Sequence, residues 1–154
     1  MEKTIQIQPA DPRTPAIRNM ISELDAYQAL LYPPESNHLE PVKKLVSSRY
    51  YFIAAWQRQT PLGIASFRRT AGIYVEIKRL YVPQQHRGKG LARALMKALE
   101  KQAVQENYTE TRLETGIYQK EALALYQRLG YEKTGPFGAY REDPLSVFMR
   151  KKLP

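Results

Sequence analysis

Residues 80–92 read LYVPQQHRGKGLA, in which an apolar strand end is followed by two closely spaced glycines and the start of a helix. Gly88 and Gly90 permit positive φ angles and a close approach of the backbone to a ligand. A helix that begins directly after them presents unpaired N–H groups and the positive end of its dipole, an arrangement that binds phosphate. The pattern indicates an anion site. The alternative is a tight turn that opens a helix with a solvated basic face.

Two familiar phosphate-binding loops do not fit this stretch. A P-loop requires Ser or Thr after its Gly-Lys pair, whereas Gly88-Lys89 is followed by Gly90. A dinucleotide-binding fingerprint requires a third glycine, and Arg93 occupies that place. An anion site at this loop must therefore be of another kind.

Three strands are predicted immediately before the glycine loop. Hydrophobic residues alternate with a period of two over residues 50–57, 62–69 and 73–82. The short connections at 60–61 and 70–72 favour an antiparallel meander.

The remaining elements follow from the same kind of pattern. Apolar residues at helical spacing predict helices, and short alternating runs predict further strands. The predicted helices cover residues 15–29, 41–46, 91–107 and 122–129, and the further strands cover 5–8, 111–114, 131–134 and 146–152. The order β, α, α, β, β, β, α, β, α, β, β predicts one mixed sheet with helices on its faces.

Length and composition place residues 1–154 in one domain of an ordinary globular protein. Hydrophobic residues make up 43% and charged residues 25% of the chain, which excludes a disordered, collagen-like or membrane-embedded protein. The absence of cysteine excludes disulfides, thiolate metal sites and a cysteine nucleophile. Because the N-terminus shows no signal-peptide core, we expect a cytoplasmic protein.

The formal net charge of +9 is the unusual property of the composition. Such an excess of Lys and Arg attracts nucleic acid, an acidic surface or a polyphosphate ligand, although it also suits a merely soluble surface. His38 and His86 are the only two histidines and lie too far apart in sequence to indicate a metal site.

Residues 85–90, QHRGKG, resemble the acetyl-coenzyme A signature of the GNAT superfamily of N-acetyltransferases. Residues 75–82 resemble the family's fourth strand, residues 112–115 its fifth strand, and residues 121–131 the helix of its second motif. The resemblance implies the α/β (α+β) GNAT fold, a mixed, mostly antiparallel sheet of about seven strands flanked by about four helices. It also implies acetyl-CoA as co-substrate, no metal, and direct transfer of an acetyl group to a primary amine.

The resemblance also assigns the residues that hold the cofactor. In the family, backbone amides of the loop bind the pyrophosphate, and this carries over to Gln85, His86, Arg87, Gly88, Lys89, Gly90, Leu91 and Ala92. The end of the fourth strand pairs with the pantetheine arm and polarises the thioester carbonyl, which carries over to Leu80, Tyr81 and Val82. Gln119 stands where the family often has an Asn that contacts the cofactor arm, so its role is open.

Tyr126 matches the tyrosine that protonates the leaving thiolate in many members of the family. Its spacing from Ala122, Leu125 and Leu129 also fits a core residue, so the residues alone leave both roles open.

Glu76 matches the glutamate that serves as general base in some members, since the amine must lose a proton before it attacks. Strict alternation places Glu76 on the same face as Leu80 unless the family's β-bulge re-aims it. An ion pair with Arg68 on the neighbouring strand is the alternative role. Glu114 is the reserve candidate for the base.

The acceptor site is expected around the proline-broken segment 32–40, which corresponds to the region that shapes this site in the family. Glu35, Asn37 and His38 are therefore candidates for contacts with a small-molecule amine, and a solvent-exposed loop is the alternative. Tyr140 and Arg141 are candidates to close the opposite side. The identity of the amine does not follow from the fold. A homodimer is compatible with the resemblance, because dimers are common in the family.

Two other functions compete with the enzyme. A nucleic-acid-binding module would use the positive charge and stacking surfaces such as Tyr50, Tyr51 and Trp56. The basic residues are scattered, however, and no nucleic-acid motif is present, so we expect neither a nucleic-acid nor a membrane partner. A regulator that binds acyl-CoA without turnover would be unaffected by substitutions of Tyr126 and Glu76.

Overall fold

The computed structural model describes residues 4–154, which form one β-sheet with helices packed on both faces. The strands are β1 (Ile5–Pro9), β2 (Tyr50–Gln57), β3 (Thr60–Arg69), β4 (Tyr74–Tyr81), β5 (Glu110–Gly116), β6 (Glu132–Thr134) and β7 (Ser146–Lys152). The α-helices are α1 (Pro15–Leu31), α2 (Val42–Leu45), α3 (Leu91–Gln105) and α4 (Lys120–Arg128), and 3₁₀ turns span Pro34–Ser36 and Gln84–His86. The expectation about the signal peptide rests in part on residues 1–3, which lie outside the described residues.

The strand order is β1-β2-β3-β4-β5-β7-β6, and only β4 and β5 run parallel to each other. The predicted fold class, with seven strands in a mostly antiparallel sheet and four helices, is therefore confirmed, as is the order of the elements. The predicted connection at 60–61 is wrong, because β3 begins at Thr60 and the turn is made by Arg58 and Gln59. Arg58 adopts a φ of 56°, and the register shift between Ala55 and Trp56 accommodates Pro61 within the strand pair.

The core consists of two apolar layers, one on each face of the sheet. Leu95, Met96 and Leu99 of α3 pack on the face that carries Phe67 and Leu113, and all five are almost fully buried. On the other face, residues of α1 and α2 pack against β2 and β3, namely Ile17, Met20, Ile21 and Leu45 against Tyr50, Phe52, Ala54 and Ile64. Because both faces are covered, a one-residue slip of a central strand would move its apolar residues to the wrong layer, and this fixes the register.

The parallel strands β4 and β5 pair only at their first residues. Tyr74 to Glu76 pair with Glu110 to Arg112, after which no further pairing joins the two strands. Beyond that point, residues 77–80 of β4 and 113–116 of β5 line a cavity between the strands. The sheet therefore opens at the carboxyl ends of its two parallel strands, the edge where α/β proteins commonly bind ligands.

A β-bulge in β4 sets the directions of the side chains beside this opening. Ser66 pairs with Lys78 whereas Ile64 pairs with Tyr81, so β4 contains one extra residue at Arg79, whose φ is 56°. Beyond the bulge, Leu80 packs against the layer under α3 while Glu76 contacts cations on the opposite face. Strict alternation, which placed Glu76 and Leu80 on one face, is thus wrong because of the bulge.

The bulge is held from the α1 side. The buried guanidinium of Arg79 forms an ion pair with Asp25 of α1 and donates a hydrogen bond to the carbonyl of Glu40. These contacts connect β4 to α1 and to the segment that follows the first 3₁₀ turn.

Among residues 4–154, no helix has both the length and the hydrophobicity of a membrane span.

Candidate functional site

Two adjacent cavities lie at the opening of the sheet. The inner cavity, of about 80 Å³, lies between β4, β5 and α4. The outer cavity, of about 1070 Å³, lies between α2, the start of β2 and the loop before β7. The residues that line both are His38, Leu39, Glu40, Glu76, Lys78 and Tyr140. The predicted acceptor region and the predicted catalytic residues therefore lie around two cavities that adjoin at these shared residues.

The glycine loop has the geometry that the sequence predicted for an anion site. Gly88 and Gly90 adopt φ angles of 80° and 77°, and a Cβ at either position would meet nothing within 4 Å. Gly90 caps α3 without a side-chain hydrogen bond, and the N–H of Ala94 donates to the Gly90 carbonyl at 3.0 Å. The amides of the first helical turn before Ala94 thus have no acceptor in the helix and point out of its N-terminus. The open space and free donors fit a pyrophosphate.

The side chains of this loop tie it to the end of β4. Arg87 Nε donates to the Val82 carbonyl at 2.8 Å, and Arg87 Nη1 lies 3.8 Å from the carboxylate of Glu121 on α4. His86 is partly buried, and its Nδ1 has no hydrogen-bond partner among residues 4–154. Arg87 thus joins the loop to the end of β4, and its exposed contact with Glu121 brings the loop near the start of α4.

Gln119 lies across the opening from the glycine loop, at the N-cap position of α4. Its Oε1 accepts hydrogen bonds from the backbone N–H of Gly116 at 3.1 Å and from Thr115 Oγ1 at 3.3 Å. The side chain thereby holds the end of β5 and lines the inner cavity. Its amide oxygen is used within the protein, and no hydrogen bond of its amide nitrogen is seen among residues 4–154.

Tyr126 is both a core residue and a residue of the site. It packs in the layer under α3, with only 7% of its surface exposed, and it lines the inner cavity. Burial, together with the negative charge of Glu114, raises the pKa of its hydroxyl. The phenol is therefore protonated at neutral pH, and its side chain is part of the cavity lining.

Glu76 lies beneath the cleft with both of its carboxylate oxygens engaged. Oε1 accepts from Arg68 at 2.9 Å, and Oε2 lies 3.2 Å from Lys78 Nζ and 2.5 Å from the hydroxyl of Tyr140. The predicted alternative, an ion pair with Arg68, is confirmed. With 2% of its surface exposed, this carboxylate serves as the counter-ion of two cations.

Glu114 also lines the inner cavity and, among residues 4–154, has no cationic side chain within 4.0 Å. Its side chain accepts a hydrogen bond from Ser146 Oγ at 2.8 Å, and burial raises the pKa of its carboxyl. A raised pKa makes a carboxylate a stronger base. Sequence analysis ranked Glu114 below Glu76 as the base. The sequence does not show that Lys78 and Tyr140 contact Glu76 and not Glu114.

The predicted acceptor residues divide between the two cavities. Asn37 and His38 line the inner cavity, whereas Glu35 is exposed and lines only the outer one. Asn37 Oδ1 is buried with no hydrogen-bond partner among residues 4–154. His38 meets the ring of Tyr140 edge-on at 5.0 Å between ring centroids, while Arg141 lines the outer cavity alone.

Sequence reasoning missed Tyr32, which closes one end of the inner cavity. Its hydroxyl accepts a hydrogen bond from the Tyr118 N–H at 3.1 Å and occupies the space that a Cβ on Gly116 would need. A glycine at the end of β5 was the only available signal, and it becomes informative only once α1 is seen to pack there.

In residues 4–154, no cluster of His, Asp or Glu has the arrangement of a metal site.

Comparisons with known proteins agree with this geometry. The model of the acetyltransferase (GNAT) family matches residues 17–131. The chain is 39% identical over 143 residues to an IAA acetyltransferase from Azospirillum brasilense, covering 92% of this chain and 94% of that protein. It is 31% identical over 137 residues to the uncharacterised N-acetyltransferase YsnE of Bacillus subtilis, covering 88% and 91% of the two chains.

Solved structures show the same fold. A Klebsiella pneumoniae protein, named only provisionally as an acyl-CoA N-acyltransferase, superposes with a TM-score of 0.81 at 34% identity, over 99% of both chains. The PaiA N-acetyltransferase of Thermoplasma acidophilum, solved with coenzyme A, superposes with a TM-score of 0.74 at 16% identity, over 97% of this chain and 99% of that one. At that identity the second likeness concerns the fold alone.

Proposed function

The chain belongs to the acetyltransferase (GNAT) family of acyltransferase enzymes, and we propose that it moves the acetyl group of acetyl-CoA directly to a primary amine. One observation carries the proposal. The opening between β4 and β5 lies beside a glycine loop with two positive φ angles, and it is lined by a buried phenol and a half-buried carboxylate that has no cationic side chain within 4.0 Å among residues 4–154. An anionic co-substrate, a proton donor and a proton acceptor can therefore meet in one cleft.

The glycine loop would hold the pyrophosphate of acetyl-CoA. The proposed donors are the backbone amides from Gln85 to Ala92, supported by the helix dipole of α3. The edge of β4 at Leu80, Tyr81 and Val82 is free of β5 at this point and would pair with the pantetheine arm. Gln119, which lines the inner cavity and whose amide oxygen is bound to the end of β5, would contact the same arm.

The chemistry requires one residue that takes a proton and one that gives a proton. Acetyl-CoA supplies an acetyl group activated as a thioester. Glu114 takes the proton from the ammonium group of the acceptor at its carboxylate, because burial has raised the pKa of this carboxyl group. Tyr126 donates its phenolic hydrogen towards the departing sulfur. Because the attack is direct, no covalent acyl-enzyme is needed, which agrees with a chain that lacks cysteine.

Glu76 matched the family's base, and that role stays a prediction. The structure supports a different role better, in which Glu76 holds Arg68, Lys78 and Tyr140 in place below the acceptor. A carboxylate that is paired with two cations binds a proton less readily than a carboxylate without a nearby cation does.

The location of the protein in the cytoplasm stays a prediction from the sequence.

The experiment is an acetylation assay with a panel of primary amines. Release of the coenzyme A thiol is measured with a colorimetric thiol reagent, and the acetylated amine is identified by mass spectrometry. We expect thiol release that depends on the amine, with one acetylated product per thiol. Thiol release that is independent of every amine, or none at all with acetyl-CoA bound, would contradict transfer to an amine.

A further inference from the structure

The outer cavity has walls of opposite charge. The wall formed by α2 and the residues before β2 carries Lys43, Lys44 and Arg49, and Arg68 lies at the floor. The opposite wall carries acidic residues, namely Glu35, Glu142 and Asp143, together with Arg141. A ligand in this cavity would therefore experience a field that is directed across it.

Two of the cations on the basic wall have no acidic partner. Lys44 lies 3.7 Å from Glu40, and Arg68 is paired with Glu76. Within residues 4–154, neither Lys43 nor Arg49 has a carboxylate oxygen within 4.0 Å. Arg68 uses one of its nitrogens on Glu76 and has further N–H donors near the cavity. The basic wall thus retains donors for an anion that the protein does not supply.

The other end of the cleft has the opposite character. Glu114 lines the inner cavity alone, where the proposed function places the reacting amine, whereas Glu76 lines both cavities and is already paired with Arg68 and Lys78. An ammonium group is attracted to this end, and a carboxylate is attracted to the donors of Lys43, Arg49 and Arg68. The two cavities adjoin at the residues that line both, and the proposed acceptor would extend across this boundary.

We infer that the acceptor is a small amine that also bears a carboxylate, such as an amino acid or a short peptide with a free C-terminus. Its ammonium group faces Glu114 in the inner cavity, and its carboxylate binds Arg49 and Lys43 at the basic wall. This inference rests on the proposed function and adds to it the chemical class of the acceptor.

The test compares acids with their amides. The probes are α-amino acids, ω-amino acids and dipeptides, each assayed beside its carboxamide, which removes the negative charge and preserves the size. Amidation also lowers the pKa of a nearby amine and so favours the amide in the chemical step, which makes a preference for the acid more decisive. We expect kcat/KM for an accepted acid to exceed that for its amide at least tenfold.

A pair of double variants assigns the preference to the basic wall. R49Q/K43Q should raise KM for the acid about tenfold, leave kcat within about twofold, and leave the amide unaffected. The matched control K97Q/K101Q removes two exposed cations from α3 and should leave KM and kcat unchanged for both the acid and the amide. Equal use of acids and amides, or no change of KM in R49Q/K43Q, would overturn the inference.

The failure of the inference can be told apart from the failure of the proposed function. If acetyl-CoA binds but none of the acids is acetylated, the acceptor class is wrong while cofactor use stands. If amines without a carboxylate are acetylated better than the acids, the class is again wrong, but the transfer reaction is correct. If acetyl-CoA does not bind, the proposed function itself is contradicted.

Discussion

The hydroxyl of Tyr140 donates a hydrogen bond to Glu76 Oε2 at 2.5 Å, although the two residues are 64 positions apart in the chain. The same hydroxyl accepts from Lys78 Nζ at 3.0 Å. Tyr140 belongs to the loop between β6 and β7, whereas Glu76 and Lys78 belong to β4. These contacts fix the loop over the cleft and place an aromatic ring at the boundary between the two cavities.

Replacing Tyr140 with Phe should loosen the acceptor side of the cleft. The substitution keeps the ring contacts with His38 and Phe148 but removes the hydrogen bonds to Glu76 and Lys78. We expect the free energy of unfolding to fall by about 1–3 kcal/mol and KM for the acceptor to rise several-fold. Steady-state kinetics and denaturant unfolding would measure both effects. An unchanged KM for the acceptor would show that the loop does not shape its site.

Replacing Tyr126 with Phe should remove the proton donor and keep the fold. We expect kcat to fall about 100-fold, within the range typical of general acid catalysis, while the Kd of acetyl-CoA stays within about twofold. A regulator that binds acyl-CoA without turnover would be unaffected by this substitution.

Y131F provides the matched control for Tyr126. Tyr131 is also a buried tyrosine, and its hydroxyl lies 2.7 Å from Thr111 Oγ1 and 2.9 Å from Glu100 Oε2. Losing these bonds should lower the free energy of unfolding by about 1–2 kcal/mol with little change in kcat. If Y126F and Y131F lost activity equally, the effect would be structural and Tyr126 would not be the acid.

Replacing Glu114 with Gln should abolish the acidic limb of the pH profile. Burial raises the pKa of Glu114 above 4.5, so its carboxylate becomes available as a base only above the ordinary range of a glutamate. We expect wild-type kcat to rise with pH through a midpoint above 4.5, and kcat of E114Q to be about 100-fold lower without that rise. A pH series of initial rates measures both.

The stability of the same variant should depend on pH in the opposite sense. A glutamate whose pKa is raised by folding favours the folded state at low pH, and this advantage is lost as pH rises through the folded value. E114Q should therefore match wild type near pH 4 and become more stable than wild type at pH 7. Denaturant unfolding at the two pH values tests the sign. A loss of stability at pH 7 would mean that the Glu114 carboxylate is stabilised by a partner.

Glu76 offers the contrasting carboxylate. E76Q leaves Arg68 and Lys78 without their shared counter-ion, so we expect the free energy of unfolding to fall by about 3 kcal/mol. In the folded variant, the acidic limb of the pH profile should persist. A stable E76Q protein that lacks this limb would make Glu76 the base, as its match to the family implied.

Much of the fold could be predicted from the sequence because its signals are local. Hydrophobic periodicity located the elements, and Gly130 follows α4 with a φ of 98°, a conformation typical of the glycine after a helix end. The positive φ angles of Gly88 and Gly90 were equally readable, since few other residues adopt them. The connection at 60–61 was missed because the left-handed residue of that turn is Arg58, which carries no such signal.

The arrangement of the site could be predicted less completely because it depends on distant contacts. Glu76 and Glu114 look alike in sequence, and only the positions of Arg68, Lys78 and Tyr140 distinguish them. The charged walls of the outer cavity are equally invisible, because Arg49 and Asp143 come together only when the sheet is assembled. The directions of the side chains after Glu76 depend on the bulge at Arg79. The residue with a positive φ in this bulge is an arginine and not a glycine, so nothing in the local sequence marks it.

Calorimetric titration of acetyl-CoA at near-physiological salt, with an oligonucleotide as a second ligand, tests the central claim most directly. The comparison uses G88A/G90A and, as control, G130A, because all three glycines adopt positive φ and suffer similar strain of about 1–2 kcal/mol per site with Ala. The account predicts one-to-one binding of acetyl-CoA to wild type and G130A, at least tenfold weaker binding to G88A/G90A, and no comparable oligonucleotide binding. Absence of saturable acetyl-CoA binding, or an equal loss in G130A, would contradict it, as would oligonucleotide binding that falls steeply with salt.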